Sequence, residues 1–153
     1  IGFRYACKTA NAASNRQVTA RWPCSYQHDA KPNEQLISGF GVMIASQRED
    51  AAFCQLILQK SGSNFALPLR FLSPEKRRGS NALYAFCRLA DDIVDGDDAL
   101  GDKIDVLDEF EQMLRDALNG RMVGDPVLRS IARTAGRYSI PREHLFDIIK
   151  GVR

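Results

Sequence analysis

One stretch of the chain combines an aromatic ring, a guanidinium and two carboxylates at helical spacing. The four residues are Tyr84, Arg88, Asp91 and Asp95. Their spacing of four, three and four residues places them on one face of an α-helix with 3.6 residues per turn. Apolar residues occupy the other faces of the same segment. This group, called the aspartate stripe below, is a candidate site for a ligand that carries phosphate and a metal ion.

The acidic residues at the end of this segment destabilise the helix unless a ligand neutralises them. Five carboxylates fall within eight residues, at Asp91, Asp92, Asp95, Asp97 and Asp98. They lie near the negative pole of the predicted helix, where each like-charge pair one turn apart destabilises by roughly 0.2–0.5 kcal/mol. Mg²⁺ removes this conflict, because it takes one or two protein carboxylates and completes its shell with water and phosphate oxygens. A solvated helix end explains the same residues, and spacing alone leaves both interpretations open.

Three segments around the stripe resemble the squalene and phytoene synthase family. They are LYAFCRLADDIVD at 83–95, SGSNF at 61–65 and FLSPEKRR at 71–78. The first is similar to the family's first aspartate-rich motif. The resemblance runs from about Phe53 to Arg153 and covers only the first part of a family member. It implies the isoprenoid-synthase helical fold.

The resemblance also implies a reaction and a set of site residues. Family members join two prenyl diphosphates, farnesyl or geranylgeranyl, head to head, and make squalene, hydroxysqualene, phytoene or dehydrosqualene. The resemblance implies Mg²⁺ as the cofactor, and the use of NADPH stays open only for a squalene product. Asp91 and Asp95 would hold the metal and, with Tyr84 and Arg88, form the catalytic group. The residues expected to bind the prenyl diphosphate are Ser61, Asn64, Phe65, Tyr84 and Arg88.

Three details nearby qualify this expectation. Many family members have serine immediately before the phenylalanine at 65, whereas this chain has Asn64, so the substrate and product stay open. Asp92 lies about 100° around the helix from Asp91, and it either supports the site indirectly or faces water. The run at 76–78 spans most of a turn, so its three cations cannot all face one ligand, and we expect a solvated face there.

Composition excludes several other classes of function. The chain has 153 residues, 44% of them hydrophobic and 26% charged, which is typical of one soluble globular domain. A formal charge of +2, without a basic stripe interleaved with aromatics, argues against nucleic-acid binding. No apolar stretch approaches the roughly 20 residues that cross a bilayer. We expect a cytoplasmic protein whose membrane contact, if present, is peripheral.

Cysteine and histidine suggest no second site. The four cysteines lack metal-type spacing, and we expect free thiols; they are Cys7, Cys24, Cys54 and Cys87. Cys54 and Cys87 lie in apolar segments that are predicted to be helical, and we expect both in the core. His28 and His144 have no neighbouring partner pattern, so structural or surface roles are expected.

Hydrophobic periodicity predicts an all-α fold of five helices joined by short loops, the N-terminal part of a helical bundle. The expected helices cover residues 48–60, 74–95, 104–118, 126–135 and 141–153. Ser73 and Pro74 begin the second, and Asn119-Gly120 end the third. Acidic residues on the third helix are interpreted as a solvated face.

The chain divides near Met43 into a leader and a helical part. Residues 1–42 contain five basic and two acidic residues without sustained period, and we expect an irregular leader that is either non-native or a targeting segment. Residues 43–153 form the synthase-like part, and Met43 is a candidate native start.

The family's second aspartate-rich motif is absent between Asp98 and Arg153. We therefore expect an incomplete chain that is inactive without a C-terminal half. The alternative function is a non-catalytic interaction or assembly module derived from this fold.

Overall fold

A computed structural model describes residues 4–8, 19–23, 39–95 and 100–153, with side-chain surroundings for 46–95 and 103–153. Five α-helices follow one another along the chain: α1 Gly39–Lys60, α2 Pro74–Asp95, α3 Leu100–Leu118, α4 Pro126–Tyr138 and α5 Arg142–Val152. Two 3₁₀ helices, Asn64–Ala66 and Pro68–Phe71, connect α1 to α2. The predicted all-α class is confirmed for the synthase-like part.

Within the described residues of the leader, two segments have regular structure that the sequence did not indicate. Two short strands, β1 Arg4–Lys8 and β2 Thr19–Pro23, pair antiparallel. The register sets Arg4 opposite Pro23 and Lys8 opposite Thr19. Five-residue strands of mixed composition show no readable alternation, and their ladder is made by backbone groups that any non-proline residue carries. His28 and Cys24 lie outside the described residues.

Most helix ends fall where their sequence signals place them. Pro74 is the first residue of α2, and α3 ends before Gly120, whose φ of +77° suits glycine. The largest difference is at α1, which begins at Gly39 rather than near 48 and so crosses the boundary expected at Met43. In addition, α3 begins at Leu100 rather than at 104, and α4 ends at Tyr138 rather than at 135. Residues 43–47 contain neither Gly nor Pro, so an established helix can extend through them without an apolar period of their own.

Helix α2 is the centre of the bundle, because it packs against α1, α3, α4 and α5. Phe86 of α2 stacks on Phe110 of α3 with ring centroids 5.5 Å apart. Against α4 the approach is closer, since a Cβ atom at Gly79 would lie 3.1 Å from the Tyr138 ring. Other buried members of the core are Ile57, Leu107, Leu114, Leu128, Ile131, Leu145 and Ile149.

A buried carboxylate joins α1 to α4. Asp50, which is 1% exposed, accepts hydrogen bonds from Arg129 at 2.5 and 3.1 Å and from Arg133 at 2.6 Å. Arg129 also donates to the backbone carbonyls of Val123 and Gly124. The network satisfies both carboxylate oxygens, which a buried charge requires. It fixes the α1–α4 pair that supports one side of α2.

The described cysteines match the expected free core thiols. Cys54 is fully buried and Cys87 is partly buried, and neither is in a disulfide. Burial raises the pKa of the Cys54 thiol to about 12, although a hydrogen bond with Ser130 opposes this rise. Burial also raises the pKa of Cys87. Thiolate nucleophiles are disfavoured at both positions.

Among the described residues, no helix combines the length and apolarity that a membrane span requires.

Candidate functional site

Helix α2 holds all four residues of the aspartate stripe in one unbroken segment. Its other faces bury Ala85, Phe86, Leu89, Ala90 and Ile93 in the core. Asp91, Asp95 and Arg88 are exposed, and Tyr84 is partly buried. The amphipathic arrangement expected from the spacing is therefore present.

Three of the expected site residues meet at the start of the stripe. The Tyr84 hydroxyl donates to Ser61 Oγ at 2.7 Å. The Phe65 ring lies 6.1 Å from the Tyr84 ring, in a tilted arrangement, and is 63% exposed. The segment after α1 thus borders the stripe and presents an aromatic ring to solvent beside a hydroxyl pair.

Local hydrogen bonds explain how this connecting segment turns. Ser61 Oγ donates to the Leu58 carbonyl at 2.8 Å, and Gly62 follows with a φ of +66°, which favours glycine. Ser63 Oγ then accepts from the Phe65 amide at 3.2 Å and caps the 3₁₀ helix that begins at Asn64. Asn64 is exposed, and no hydrogen bond or ion pair among the described side chains joins it to the stripe.

Arg88 is already paired within α2. Its Nη2 lies 2.7 Å from Oδ1 of Asp92, one turn later. Burial raises the pKa of the Asp92 carboxyl, and the Arg88 charge opposes this rise. The sequence left two roles open for Asp92, indirect support of the site or a position facing water. The contact with Arg88 fits the first role. The pairing also means that a phosphate bound by Arg88 would share it with Asp92 or displace Asp92.

Asp91 and Asp95 differ from Asp92, because no partner for either carboxylate is found among the described side chains. Both are exposed, one turn apart, and no ion pair or hydrogen bond joins their carboxylates to another residue within 46–95 or 103–153. Asp97 and Asp98 lie outside the described residues. No group of three or more His, Cys, Asp or Glu side chains suited to a metal occurs in the described part of the chain. Two carboxylates facing water fit an ion that takes few protein ligands, such as Mg²⁺.

The three cations of the basic run before the stripe point in different directions, as their spacing predicts, although Arg77 is partly buried rather than on a solvated face. Lys76 is exposed, while Arg77 and Arg78 line separate cavities. Helical spacing of 100° per residue accounts for this divergence. His144 is exposed, in agreement with a surface role.

Comparison with known proteins agrees with these features. Residues 58–153, nearly two thirds of the chain, match the family model described as squalene/phytoene synthase. The chain belongs to the squalene/phytoene synthase family. Its relatives include phytoene synthase 1, chloroplastic, of Arabidopsis thaliana, which is 28% identical over 142 residues. Phytoene synthase of Arthrospira platensis is 28% identical over 109 residues.

A solved structure supports the fold assignment. The crystal structure of squalene synthase HpnC from Alicyclobacillus acidocaldarius is similar over 69% of this chain, with a TM-score of 0.61 and 29% sequence identity. The matched region is 39% of that chain. The matches cover 93% and 71% of this chain but 32% and 35% of the Arabidopsis and Arthrospira proteins. The chain thus spans about one third of the length of these relatives.

Proposed function

We propose that the chain supplies one wall of the diphosphate site in a prenyltransferase that joins two prenyl diphosphates head to head. The substrates are two molecules of farnesyl or geranylgeranyl diphosphate. Family membership and the resemblance of 83–95 to an aspartate-rich motif support this proposal. The observation that carries it is the pair of exposed carboxylates, Asp91 and Asp95, which have no partner among the described side chains.

The residues of the stripe have complementary roles in this proposal. Asp91 and Asp95 hold Mg²⁺ through carboxylate oxygens, which are the hard ligands that this ion prefers. When bound, the ion supplies positive charge that stabilises a departing diphosphate. Arg88 donates to diphosphate oxygens, since a guanidinium offers paired N–H groups to phosphate. Asp92, which now pairs with Arg88, keeps that guanidinium over the stripe between turnovers.

The paired hydroxyl groups of Tyr84 and Ser61 and the exposed ring of Phe65 lie next to the stripe and complete this part of the proposed site. Tyr84 and Ser61 form a hydrogen-bonded pair that orients the phenol beside the stripe. Phe65 offers apolar surface next to it, which excludes water from the carbon that loses the diphosphate. Asn64, which is exposed beside Phe65, contacts the same substrate in this proposal.

The relatives differ in the product that their names state, phytoene or squalene. A squalene, hydroxysqualene, phytoene or dehydrosqualene product is compatible with the stripe, because all begin with departure of diphosphate from a prenyl chain. NADPH belongs to the proposal only for squalene. We place the reaction in the cytoplasm, with any membrane contact at the surface.

One helix gives the substrate only one charged wall. The sequence between Asp98 and Arg153 has no second aspartate pair of this spacing beyond the clustered acids of α3. We therefore expect this chain to bind prenyl diphosphate, and we expect turnover to require carboxylates that face the stripe from another helix.

Calorimetric binding tests the proposal directly. Farnesyl and geranylgeranyl diphosphate are titrated into the chain with Mg²⁺ and, separately, with EDTA. We expect saturable binding that requires Mg²⁺ and is lost when Asp91→Asn is combined with Asp95→Asn. A matched control combines Asp105→Asn with Glu109→Gln, two exposed carboxylates one turn apart on α3. The control should bind as tightly as the original chain.

The same titration separates the enzyme proposal from the interaction module. Equal binding in Mg²⁺ and EDTA would contradict a metal-dependent site at the stripe. Absence of prenyl diphosphate binding by a folded chain would favour the non-catalytic module. Equal losses in the stripe variant and the α3 control would show that net charge, rather than the stripe, governs binding.

A further inference from the structure

A second charged surface lies where α1, α2 and α4 meet. It is an open groove of about 470 Å³. Four guanidinium groups from three helices line it: Arg48, Arg78, Arg133 and Arg137. Among the described residues that line it, Glu75 alone carries a carboxylate. This feature, called the arginine groove below, has an excess of positive charge in a chain whose net charge is only +2.

The arginine groove and the aspartate stripe face away from each other. Helix α2 contributes Glu75, Arg78, Gly79 and Ala82 to the groove. At 100° per residue these positions point roughly opposite to the direction of Tyr84, Arg88, Asp91 and Asp95. A ligand in the groove therefore occupies a different side of α2 from a diphosphate held at the stripe.

Hydrogen bonds to Asp50 and Ser130 fix the position of Arg133. Asp50 accepts from its Nη2 at 2.6 Å, and the same nitrogen approaches Ser130 Oγ at 3.2 Å. These bonds use one of its three nitrogens, so Nε and Nη1 keep donors for a ligand. Because Asp50 is also bound by Arg129, its charge is shared between two cations. The buried carboxylate thus orients Arg133 without neutralising the groove.

The other three arginines of the groove differ in whether they form an ion pair. Arg137 pairs with Glu75 at 2.6 Å at the edge of the groove. For Arg48 and Arg78, which are both exposed, no ion pair is found within the described side chains. Like charges gathered in one concavity repel each other, and an anion that bridges them removes this cost. Arg48 and Arg78 are therefore the cations most available to a ligand.

The groove has space for a compact ligand. Its lining includes the small side chain of Ala51 on α1, whereas Tyr138 and Thr134 of α4 pack close to Gly79 on α2. The volume is within the range of small-molecule sites, which is about 300–1,000 Å³. Guanidinium groups bind phosphate oxygens through paired N–H donors more specifically than ammonium groups do. A compact ligand with several phosphate oxygens matches both the space and the charge.

We propose that the arginine groove binds a phosphate-bearing anion, a diphosphate or a phosphate monoester, independently of a metal ion. Arg48 and Arg78 contact the anion from α1 and α2, and Arg133 contacts it from α4. This site is separate from the metal-dependent site of the proposed function. The anion is either free in solution or the headgroup of an anionic phospholipid.

Inorganic pyrophosphate in EDTA is the first probe, because chelation removes any metal-dependent binding at the stripe. We expect saturable binding by calorimetry and a rise in melting temperature that follows occupancy. Combining Arg48→Gln with Arg78→Gln should weaken this binding about tenfold or more. A control with the same charge change combines Arg70→Gln with Lys76→Gln, two exposed cations outside the groove. The control and the Asp91→Asn, Asp95→Asn variant should bind pyrophosphate as the original chain does.

Several results would overturn this proposal. They are absence of saturable pyrophosphate binding in EDTA, equal weakening in the groove and control variants, or loss of binding in the stripe variant. Because Arg48 and Arg78 are exposed, we expect their replacement to preserve the fold, and circular dichroism checks that the variant is folded. Vesicles of phosphatidylcholine with and without phosphatidic acid distinguish the two sources of the anion. Vesicle binding that needs phosphatidic acid and both arginines identifies a lipid headgroup, whereas pyrophosphate binding without it identifies a soluble ligand.

Discussion

Two groups of aspartates in this chain have opposite environments. Asp50 is 1% exposed and accepts hydrogen bonds from two arginines of another helix. Asp91 and Asp95 are exposed on one helix and, within the described side chains, have no cationic partner. The first carboxylate is satisfied by the fold, whereas the other two repel each other. The difference separates a charge that stabilises the bundle from charges that are available for binding.

This comparison also explains why similar residues on α2 have different roles. Asp92 is one residue from Asp91, yet it is partly buried and pairs with Arg88. Its rotation around the helix, rather than its place in the sequence, determines this. A cluster of five acidic residues is therefore not one site, and each carboxylate has to be assigned by exposure and partner.

The largest expected effect is at Asp50. Asp50→Asn removes the buried negative charge and leaves Arg129 and Arg133 facing each other, so we expect a loss of about 3 kcal/mol in the free energy of unfolding. Urea denaturation monitored by circular dichroism measures it. Asp147→Asn is the matched control, because Asp147 and Lys150 form an exposed pair that contributes at most about 1 kcal/mol. Similar losses in both variants would contradict the buried role of Asp50.

A smaller loss is expected at Asp125, which caps α4. Its Oδ1 accepts from the amides of Val127 and Leu128, both at 2.8 Å. Asp125→Ala leaves these amides unsatisfied and should lower the free energy of unfolding by about 1 kcal/mol. Asp125→Ser keeps a capping oxygen and should recover most of this loss. If alanine and serine have the same effect, the hydrogen bonds are not the cause.

Replacing the stripe aspartates should change stability in the opposite direction. Combining Asp91→Asn with Asp95→Asn relieves like-charge repulsion at the end of α2 and should raise the free energy of unfolding by about 0.2–0.5 kcal/mol without a divalent metal. Repeating the measurement in high salt should reduce the gain, because exposed charges are screened. A clear destabilisation would show that these carboxylates have structural partners.

The smallest effect concerns the pH dependence of Asp92. Burial raises the pKa of this carboxyl above its ordinary value of 3.8, so the folded state holds the proton more tightly than the unfolded state. As pH rises from about 3.8 through the raised pKa, the free energy of unfolding should therefore fall relative to Asp92→Asn. Urea titrations of both proteins across this range measure the difference. The reverse trend would show that the Arg88 pair outweighs burial.

Local patterns were enough to locate the helix that carries the stripe. Pro74 marks the start of α2, and the spacing of Tyr84, Arg88, Asp91 and Asp95 identifies one face of it. The early start of α1 and the pairing of β1 with β2 lacked such a signal. Helix extension needs only residues that tolerate the geometry, and a strand pair depends on a partner elsewhere in the chain.

Contacts between elements could not be inferred in the same way. The partners of Asp50 lie 79 and 83 residues away, and Ser61 and Tyr84 are 23 residues apart. The arginine groove combines side chains from three helices, and the basic run at 76–78 does not by itself indicate which of its cations lies beside Arg48 and Arg133. Each contact depends on the angle and rotation at which helices pack, and many packings are compatible with the same periodic pattern.

By itself the sequence determined the all-α class, the helix that holds the aspartate stripe and the family resemblance, because these follow from covalent geometry and from short motifs. Only the tertiary structure decided that Asp50 is a buried partner, that Asp92 pairs with Arg88, and that Arg48 and Arg78 face a common groove. The physical reason is that burial and charge pairing depend on which surfaces are brought together. Side chains that are distant or unremarkable in sequence acquire their roles only when the helices pack.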